Sequence, residues 1–334
     1  MLFGAGTPLA KLLLGPLDPW LMAGVLYLGS GGGLALLRLL GGQRGAAIDR
    51  KDLPWLASAI ALGGALGPVL LMWGLAHTTA SSASLLLNAE GALTALIAWF
   101  VFHENFDKRI ALGMFLIVLG AVVLSWPAEG RFEAALPALA IVGACLAWAL
   151  DNNFTRKVAL ADATLIAMIK GVVAGAVNVV LAFVAGASVP PLAPLAAAGL
   201  LGFLSYGVSL VLFVRALRDL GTARTGAYFS IAPFAGAILS ILMLREPVTL
   251  NLGAAMVLMG VGVWLHLTEH HVHRHSHEAT DHDHEHEHEH DFHHLHEHPT
   301  PVAPGTRHSH IHHHDAIAHS HEHFPDAHHR HRHE

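Results

Sequence analysis

The sequence predicts an all-α membrane protein: ten transmembrane helices built as two inverted five-helix repeats, followed by a disordered tail. Three observations carry that prediction. Apolar stretches of membrane-crossing length recur along the first four fifths of the chain, basic residues fall in alternate loops, and one helix-end pattern occurs twice. Composition agrees. Hydrophobic residues make up 53% of the 334 and charged residues only 13%, about half the share usual in soluble proteins. Mean hydropathy is +0.49 even with the polar tail included.

Nine stretches have the length a helix needs to cross a hydrocarbon core, about 17–25 residues. They are 20–40, 53–73, 80–102, 110–126, 134–150, 164–185, 195–214, 225–244 and 250–267. A tenth, 1–14, has the same texture but is too short at about 1.5 Å per residue. It lacks the basic start and small-residue cleavage pattern of a signal peptide. It is therefore expected to be a first helix whose beginning lies upstream of Met1.

The loops give orientation. Alternate loops hold Arg38, Arg44, Arg50, Lys51, Lys108, Arg109, Arg156, Lys157, Arg215, Arg218 and Arg224, while the others hold only Lys11, Arg131 and Arg245. Lys and Arg near helix ends resist translocation, so the basic loops are cytoplasmic. Counting forward places both termini in the cytoplasm of a multi-pass plasma-membrane protein. Through Leu267 the chain carries 12 acidic and 15 basic residues, against 13 and 4 beyond it. The small basic excess of the body thus belongs to short loops, which suits the lipid bilayer as partner rather than nucleic acid. The single cysteine, Cys145, sits in an apolar run, which excludes an intramolecular disulfide.

The segment AWFVFHENFDKRIALG at 98–113 is matched by SILMLREPVTLNLG at 240–253. Each is an apolar helix end, a Glu (Glu104, Glu246), a polar turn and a new helix with an early Gly. By the loop count the first turn is cytoplasmic and the second external, the arrangement of an inverted repeat in secondary transporters. The domains expected are a first repeat at 1–126, a second at 127–268 and a tail at 269–334. No phosphate loop or nucleotide signature is present, which argues against an ATP-driven pump, and nothing marks an enzyme.

On the stretches 74–126 and 215–265 the chain resembles the drug/metabolite transporter superfamily, in particular EamA-type exporters with two five-helix repeats. The resemblance covers nearly all of residues 1–267 and rests on small residues, a Pro and a Glu closing the helix. It implies export of a small solute without naming it. Two departures stand out: Glu90-Gly91 where the second half has Ala232-Pro233, and the histidine tail.

Glu90 lies halfway along its helix. An acid at mid-membrane costs several kcal/mol unless it is neutral, paired or hydrated, which makes it a coupling or substrate-contact candidate; a hydrogen-bonded structural Glu is the other reading. Ser84, Asn88 and Thr94 give its helix a polar face. Asp151 and Lys170 fall at similar depths on neighbouring antiparallel helices and are expected to pair, either as a structural register or as a ligand site. Asn152, Asn153 and Asn178 are expected to extend a hydrogen-bonding path along that interface. Repeat symmetry gives Thr7 and Lys11 the matching positions in the other half. Glu104 and Glu246 are read as structural, beside the helix caps Asp107 and Thr249. The pairs Gly29/Gly33, Gly63/Gly67 and Gly171/Gly175 could seam a homodimer, but a ten-helix bundle uses such pairs mostly for internal packing.

Of 29 histidines, all but His77, His103 and His266 follow Glu269. Imidazoles occupy every second position from His282 through His284, His286 and His288 to His290, with carboxylates between, and His312, His313 and His314 form a second group. Neutral imidazole ligates zinc, nickel, cobalt and copper, and neighbouring carboxylates add charge. The arm has too few apolar residues for a core, so without metal it is expected to be disordered. No other cofactor is implied.

These residues point to a secondary transporter, with three readings open: export of an organic metabolite with a metal-sensing tail, export of a transition metal fed by the tail, or a membrane-anchored metal store. The lack of histidine at mid-membrane favours the first. The orientation makes a direct prediction. In a Cys145→Ala background, single cysteines near Arg131 and Ser188 should react with an impermeant thiol reagent from outside intact cells. Those near Arg50 and Arg218 should stay protected, and the opposite pattern would refute the topology.

Overall fold

Hydrocarbon offers the backbone no hydrogen bonds, so apolar runs at this density fold as helices. The computed structural model describes residues 2–41, 48–101, 108–126, 135–158, 161–268, 272–276, 280–286, 308–314 and 318–322. Its helices are α1 (Leu2–Leu13), α2 (Pro19–Gly41), α3 (Arg50–Ala76), α4 (Ala80–Phe100) and α5 (Lys108–Ser125), then α6 (Leu136–Val158), α7 (Ala163–Val184), α8 (Leu192–Leu217), α9 (Ala232–Leu244) and α10 (Leu250–Leu267). Among the described residues seven helices are long and apolar enough to cross a membrane, whereas α1, α5 and α9 are shorter. Large apolar side chains such as Leu39, Val184 and Leu242 stand on the outside. A soluble monomer does not carry such a belt. The chain is a multi-pass membrane protein.

Short polar side chains start the helices. Asp18 Oδ1 accepts from the N–H groups of Trp20 and Leu21, Thr79 caps α4 through Ser82, Asp162 caps α7 through Thr164 and Leu165, and Thr249 caps α10 through Leu252. Each satisfies donors that a helix start leaves open. Asp107 and Glu104 lie outside the described residues. Asp162 also pairs with Arg38 at the end of α2. Burial pushes the Asp162 carboxyl up, but the Arg38 guanidinium and the two backbone N–H groups outweigh it and hold the group below its usual range.

Two helices share an irregularity. Ile60–Leu66 in α3 and Gly202–Val208 in α8 are π-helical, and α4 breaks at Leu87 as the chain breaks at Ser230 and Ile231 before α9. Beyond Leu217 the backbone keeps helical hydrogen bonding to Phe229. A straight helix would hold residues 16 apart at about 24 Å, yet the rings of Phe213 and Phe229 are 5.0 Å apart. The chain therefore doubles back between them, where the sequence places the Arg215–Arg224 turn.

The glycine pairs serve internal packing. A Cβ added at Gly29 would lie 2.0 Å from the Gly199 carbonyl oxygen, one at Gly171 2.5 Å from Gly31 N, and one at Gly175 2.5 Å from Leu28 N. These place the backbone of α2 against α7 and α8. Gly113 and Gly262 bring α5 and α10 together in the same manner. Gly33 meets the Phe203 ring, while Gly63 and Gly67 receive Asp151 and Trp148.

The tail departs from the expectation of a disordered arm. Strands β1 (Val272–Ser276) and β4 (Ala318–Glu322) pair antiparallel, as do β2 (Thr280–His286) and β3 (His308–His314). Backbone pairing needs no apolar core, and the alternating sequence fits the two-residue period of a strand.

The close approach at Gly29 yields a stability prediction. Gly29→Val should separate α2 from α8 and destabilise the bundle by about 1–3 kcal/mol, the usual cost of overpacking. Thermal unfolding in detergent should fall accordingly, with Gly32→Val, where an added Cβ meets nothing within 4 Å, as the neutral control.

Candidate functional site

The charged side chains buried in the bundle gather around one cavity. Its wall includes Glu90 of α4, Asp151 and Asn152 of α6, Lys170 of α7, and Ser30 and Ser209. Helix α6 organises it, because adjacent residues point to two acids' neighbourhoods at once. Asn152 donates through Nδ2 to Glu90 Oε1 at 2.9 Å and to Thr94 Oγ1 at 3.2 Å. One residue earlier, Asp151 Oδ1 accepts from Lys170 Nζ at 2.5 Å and from Thr155 Oγ1 at 2.8 Å. Lys170 Nζ also donates to Thr155 at 3.0 Å. Thr155 sits one helical turn below Asp151, the i,i+4 spacing that lets the two meet. Both charged side chains are almost fully buried, at 2% and 6% exposure. A pair this dry needs further hydrogen bonds to hold it, and Thr155 bonds to both partners.

The expected pairing of Asp151 with Lys170 is thus present, and Glu90 lies beside it in the same wall. The rest of the expected path divides differently. Asn178 turns to the carbonyls of Gly64 and Ala65, at 3.3 and 3.2 Å. These belong to the π segment of α3, whose extra residue per turn leaves carbonyls without a helical partner. Asn153 binds the carbonyls of Thr94 and Ala149, a helix-to-helix tie. Asn88 donates to Leu85 O at the break in α4. These three are buried but stand outside the cavity wall. Of the matching positions expected in the first helix, Lys11 donates to the carbonyls of Leu75 and Thr78 at 2.5 and 2.7 Å, at the turn between α3 and α4 and outside the cavity wall. Thr7 is buried in α1.

Sequence reasoning missed the aromatic half of the site. Phe3, Tyr27, Trp148, Tyr206, Phe213 and Phe229 line the same cavity, drawn from a chain that is only 7% aromatic. Phe3 packs at 4.9 Å from Phe229 and 5.6 Å from Tyr206. Tyr27 Oη and Trp148 Nε1 both donate to the Gly63 carbonyl, at 2.9 and 2.7 Å. The π segment therefore fixes two of the rings. Scattered over five helices, these aromatics share no spacing in the sequence; the nearest signal is Trp148, three residues before Asp151. A second hollow of about 420 Å³ shares Phe3, Ser209, Phe213 and Phe229 with the first and continues along Leu212, Ala216 and Tyr228.

A second missed role belongs to Glu246. Its carboxylate accepts from the N–H groups of Ala80 and Ser81, at 2.7 and 2.8 Å, so it caps the start of α4 from the turn between α9 and α10. His77 packs on Trp73 and contacts its carbonyl, a polar helix end. In the tail, His282, His284 and His286 lie on β2 and His312, His313 and His314 on β3, while His288 and His290 lie outside the described residues.

The ion pair makes a clear prediction. Lys170→Met should leave Asp151 buried without its partner and cost about 3–5 kcal/mol, while adding Asp151→Leu should recover most of the loss. Unfolding of the purified single and double variants measures both. If the single variant were as stable as the parent, the pair would not be holding α6 to α7.

The profile of the EamA-like transporter family matches residues 1–126 and 135–268. An uncharacterized transporter of Methanothermobacter thermautotrophicus is 30% identical over 283 residues, which cover 79% of this chain and 82% of the relative. The uncharacterized transporter YyaM of Bacillus subtilis is 23% identical over 206 residues, covering 58% and 66%. A solved protein crystal structure superposes with a TM-score of 0.62 at 17% identity, covering 79% of this chain and 91% of its own, and so shares the fold. Apolar helices, a buried charged cavity and these matches agree: the chain belongs to the EamA-like transporter family, within the range of the drug/metabolite transporter superfamily.

Proposed function

We propose that the protein is a secondary active transporter of the plasma membrane that exports a small organic solute by alternating access. In this reading all ten helices cross the bilayer as two inverted repeats, and both termini are cytoplasmic. The observation that carries it is the cavity, where a carboxylate, a buried ion pair and six aromatic rings share one wall. The paired π segments, 142 positions apart in the numbering, support the repeat, as do the breaks at Leu87 and Ser230, 143 positions apart.

The chemistry of that wall favours an organic solute over a metal ion. Aromatic faces offer dispersion contacts to an apolar body, and among the described residues the lining holds no imidazole or thiolate to ligate a transition metal. Glu90 and Lys170 offer opposite charges to the two ends of a small amphipathic molecule. Tyr206 and Phe229, from the second half of the chain, close over Phe3 of the first, so a relative movement of the halves would open this side of the cavity. On this reading Glu90 exchanges a proton for solute: protonated it is neutral and hydrogen-bonded to Asn152, and ionised it attracts the cationic end of the solute.

The tail is proposed as a cytoplasmic regulatory arm that binds late first-row divalent ions. The supporting chemistry is the density of imidazole and carboxylate in the sequence.

Glu90→Gln tests the coupling role, because it keeps the shape and an acceptor for Asn152 but removes titration. In proteoliposomes loaded with candidate amino-bearing and aromatic metabolites, the parent should show solute flux driven by a pH gradient. The variant should insert and fold normally, while gradient-driven flux falls at least tenfold. Unchanged flux with an unchanged pH profile would reduce Glu90 to a structural group.

A further inference from the structure

We infer that the tail closes around metal as a two-stranded histidine ribbon, with four-ligand sites built from neighbouring cross-strand pairs. This rests on the reading of the tail as a metal-binding arm and specifies its geometry. In the ladder of β2 with β3, His282 stands opposite His312, His284 opposite His310, and His286 opposite His308. Successive strand positions alternate between faces, so these six positions share one face of the ribbon. The positions between them, Asp281, Asp283 and Glu285, fall on the other face.

The spacing suits a late first-row ion. Directly opposite positions on an antiparallel pair have Cβ atoms about 4.5–5.5 Å apart. Same-face neighbours along a strand are about 6.6–6.8 Å apart. A zinc–imidazole bond is about 2.0–2.1 Å, so two neighbouring pairs set four histidine positions within reach of one ion. The carboxylate face supplies negative charge close behind it, which favours the cation and counters the release of bound water.

A second stretch repeats the arrangement. In the ladder of β1 with β4, His273 stands opposite His321 and His275 opposite His319. The two ladders keep one register: Thr280 is four residues beyond Ser276, and its partner His314 is four residues before Ala318. The first of these paired strands begins five residues after Leu267, where α10 ends. Arg109 of α5 holds that end through a hydrogen bond to Thr268 Oγ1 at 3.1 Å.

A two-stranded ribbon alone is marginal in water. Ligand bonds across the strands supply the missing stabilisation, since metal affinity for a site made only on folding is also folding energy. Each ladder then takes one ion, giving two tight sites per chain.

The test uses the full-length protein in detergent, stripped of metal and titrated at neutral pH with Zn²⁺ by calorimetry and with Co²⁺ by visible absorption. The parent should bind two ions tightly, with the strong visible bands of tetrahedral cobalt. The variant His282→Asp, Asp283→His, His284→Glu, Glu285→His keeps the composition but moves two imidazoles to the other face. It should lose one tight ion, with affinity at that site down at least tenfold. The same exchange at His288 and Glu289, outside the paired strands, should change nothing. If the shifted variant binds like the parent, the ribbon is wrong although the arm still binds metal. If the parent shows no saturable binding, the metal-binding reading falls as well.

Discussion

A lysine ammonium held dry at 2% exposure between helices sets the terms for the centre of this protein. Lys170 donates to Asp151 there, and Asp151 also accepts from a second donor, Thr155. Those bonds fix the rotation of α6 against α7. They also explain Gly63: an added Cβ would lie 2.0 Å from Asp151 Oδ2, so α3 must present bare backbone at that point. Once α6 is oriented by Asp151, the next residue, Asn152, necessarily faces α4 and reaches Glu90. The ion pair and the lone acid are thus placed by one helix.

The π segment of α3 is the counterpart of that arrangement. Widening one turn releases carbonyls, and in a bilayer each must find another donor. Gly63 receives Tyr27 and Trp148, while Gly64 and Ala65 receive Asn178. What looks like an irregular helix is therefore a fixing point for two cavity rings and for α7. Glycine contacts among α2, α7 and α8 do the remaining work of association, because lipid provides no hydrophobic drive between helices and close backbone packing replaces it.

At the other end of α3 the turn to α4 is held from two sides. Lys11 of α1 takes the carbonyls that end α3, and Glu246 takes the N–H groups that begin α4. Each charge sits where the partial charge of the helix end is opposite to its own. Lys11 lies in the first half of the chain and Glu246 in the second, so the turn between Ala76 and Ala80 is a junction of the two halves. The Arg38–Asp162 pair joins α2 to α7 in a similar way.

How much of this was legible beforehand follows from the range of each interaction. Helix positions, the membrane setting, the family resemblance, the Thr249 cap and the pairing of Asp151 with Lys170 depend on local pattern or on one short connection, and the sequence by itself determined them. The alternation that suits the tail to strands was visible too, although its partner strand was not, and a chain without a core was read as disordered. Tertiary structure alone decided which distant groups meet. Asn178 left the ion pair for the π segment because carbonyls released 114 residues earlier needed a donor. Lys11 caps a helix end because α1 passes the end of α3. Tyr206 and Phe213 share α8 but the other rings come from distant segments, so only packing could bring Phe3 to Phe229 and to Tyr206. Local chemistry states what each residue requires, and only the folded chain determines which other residue supplies it.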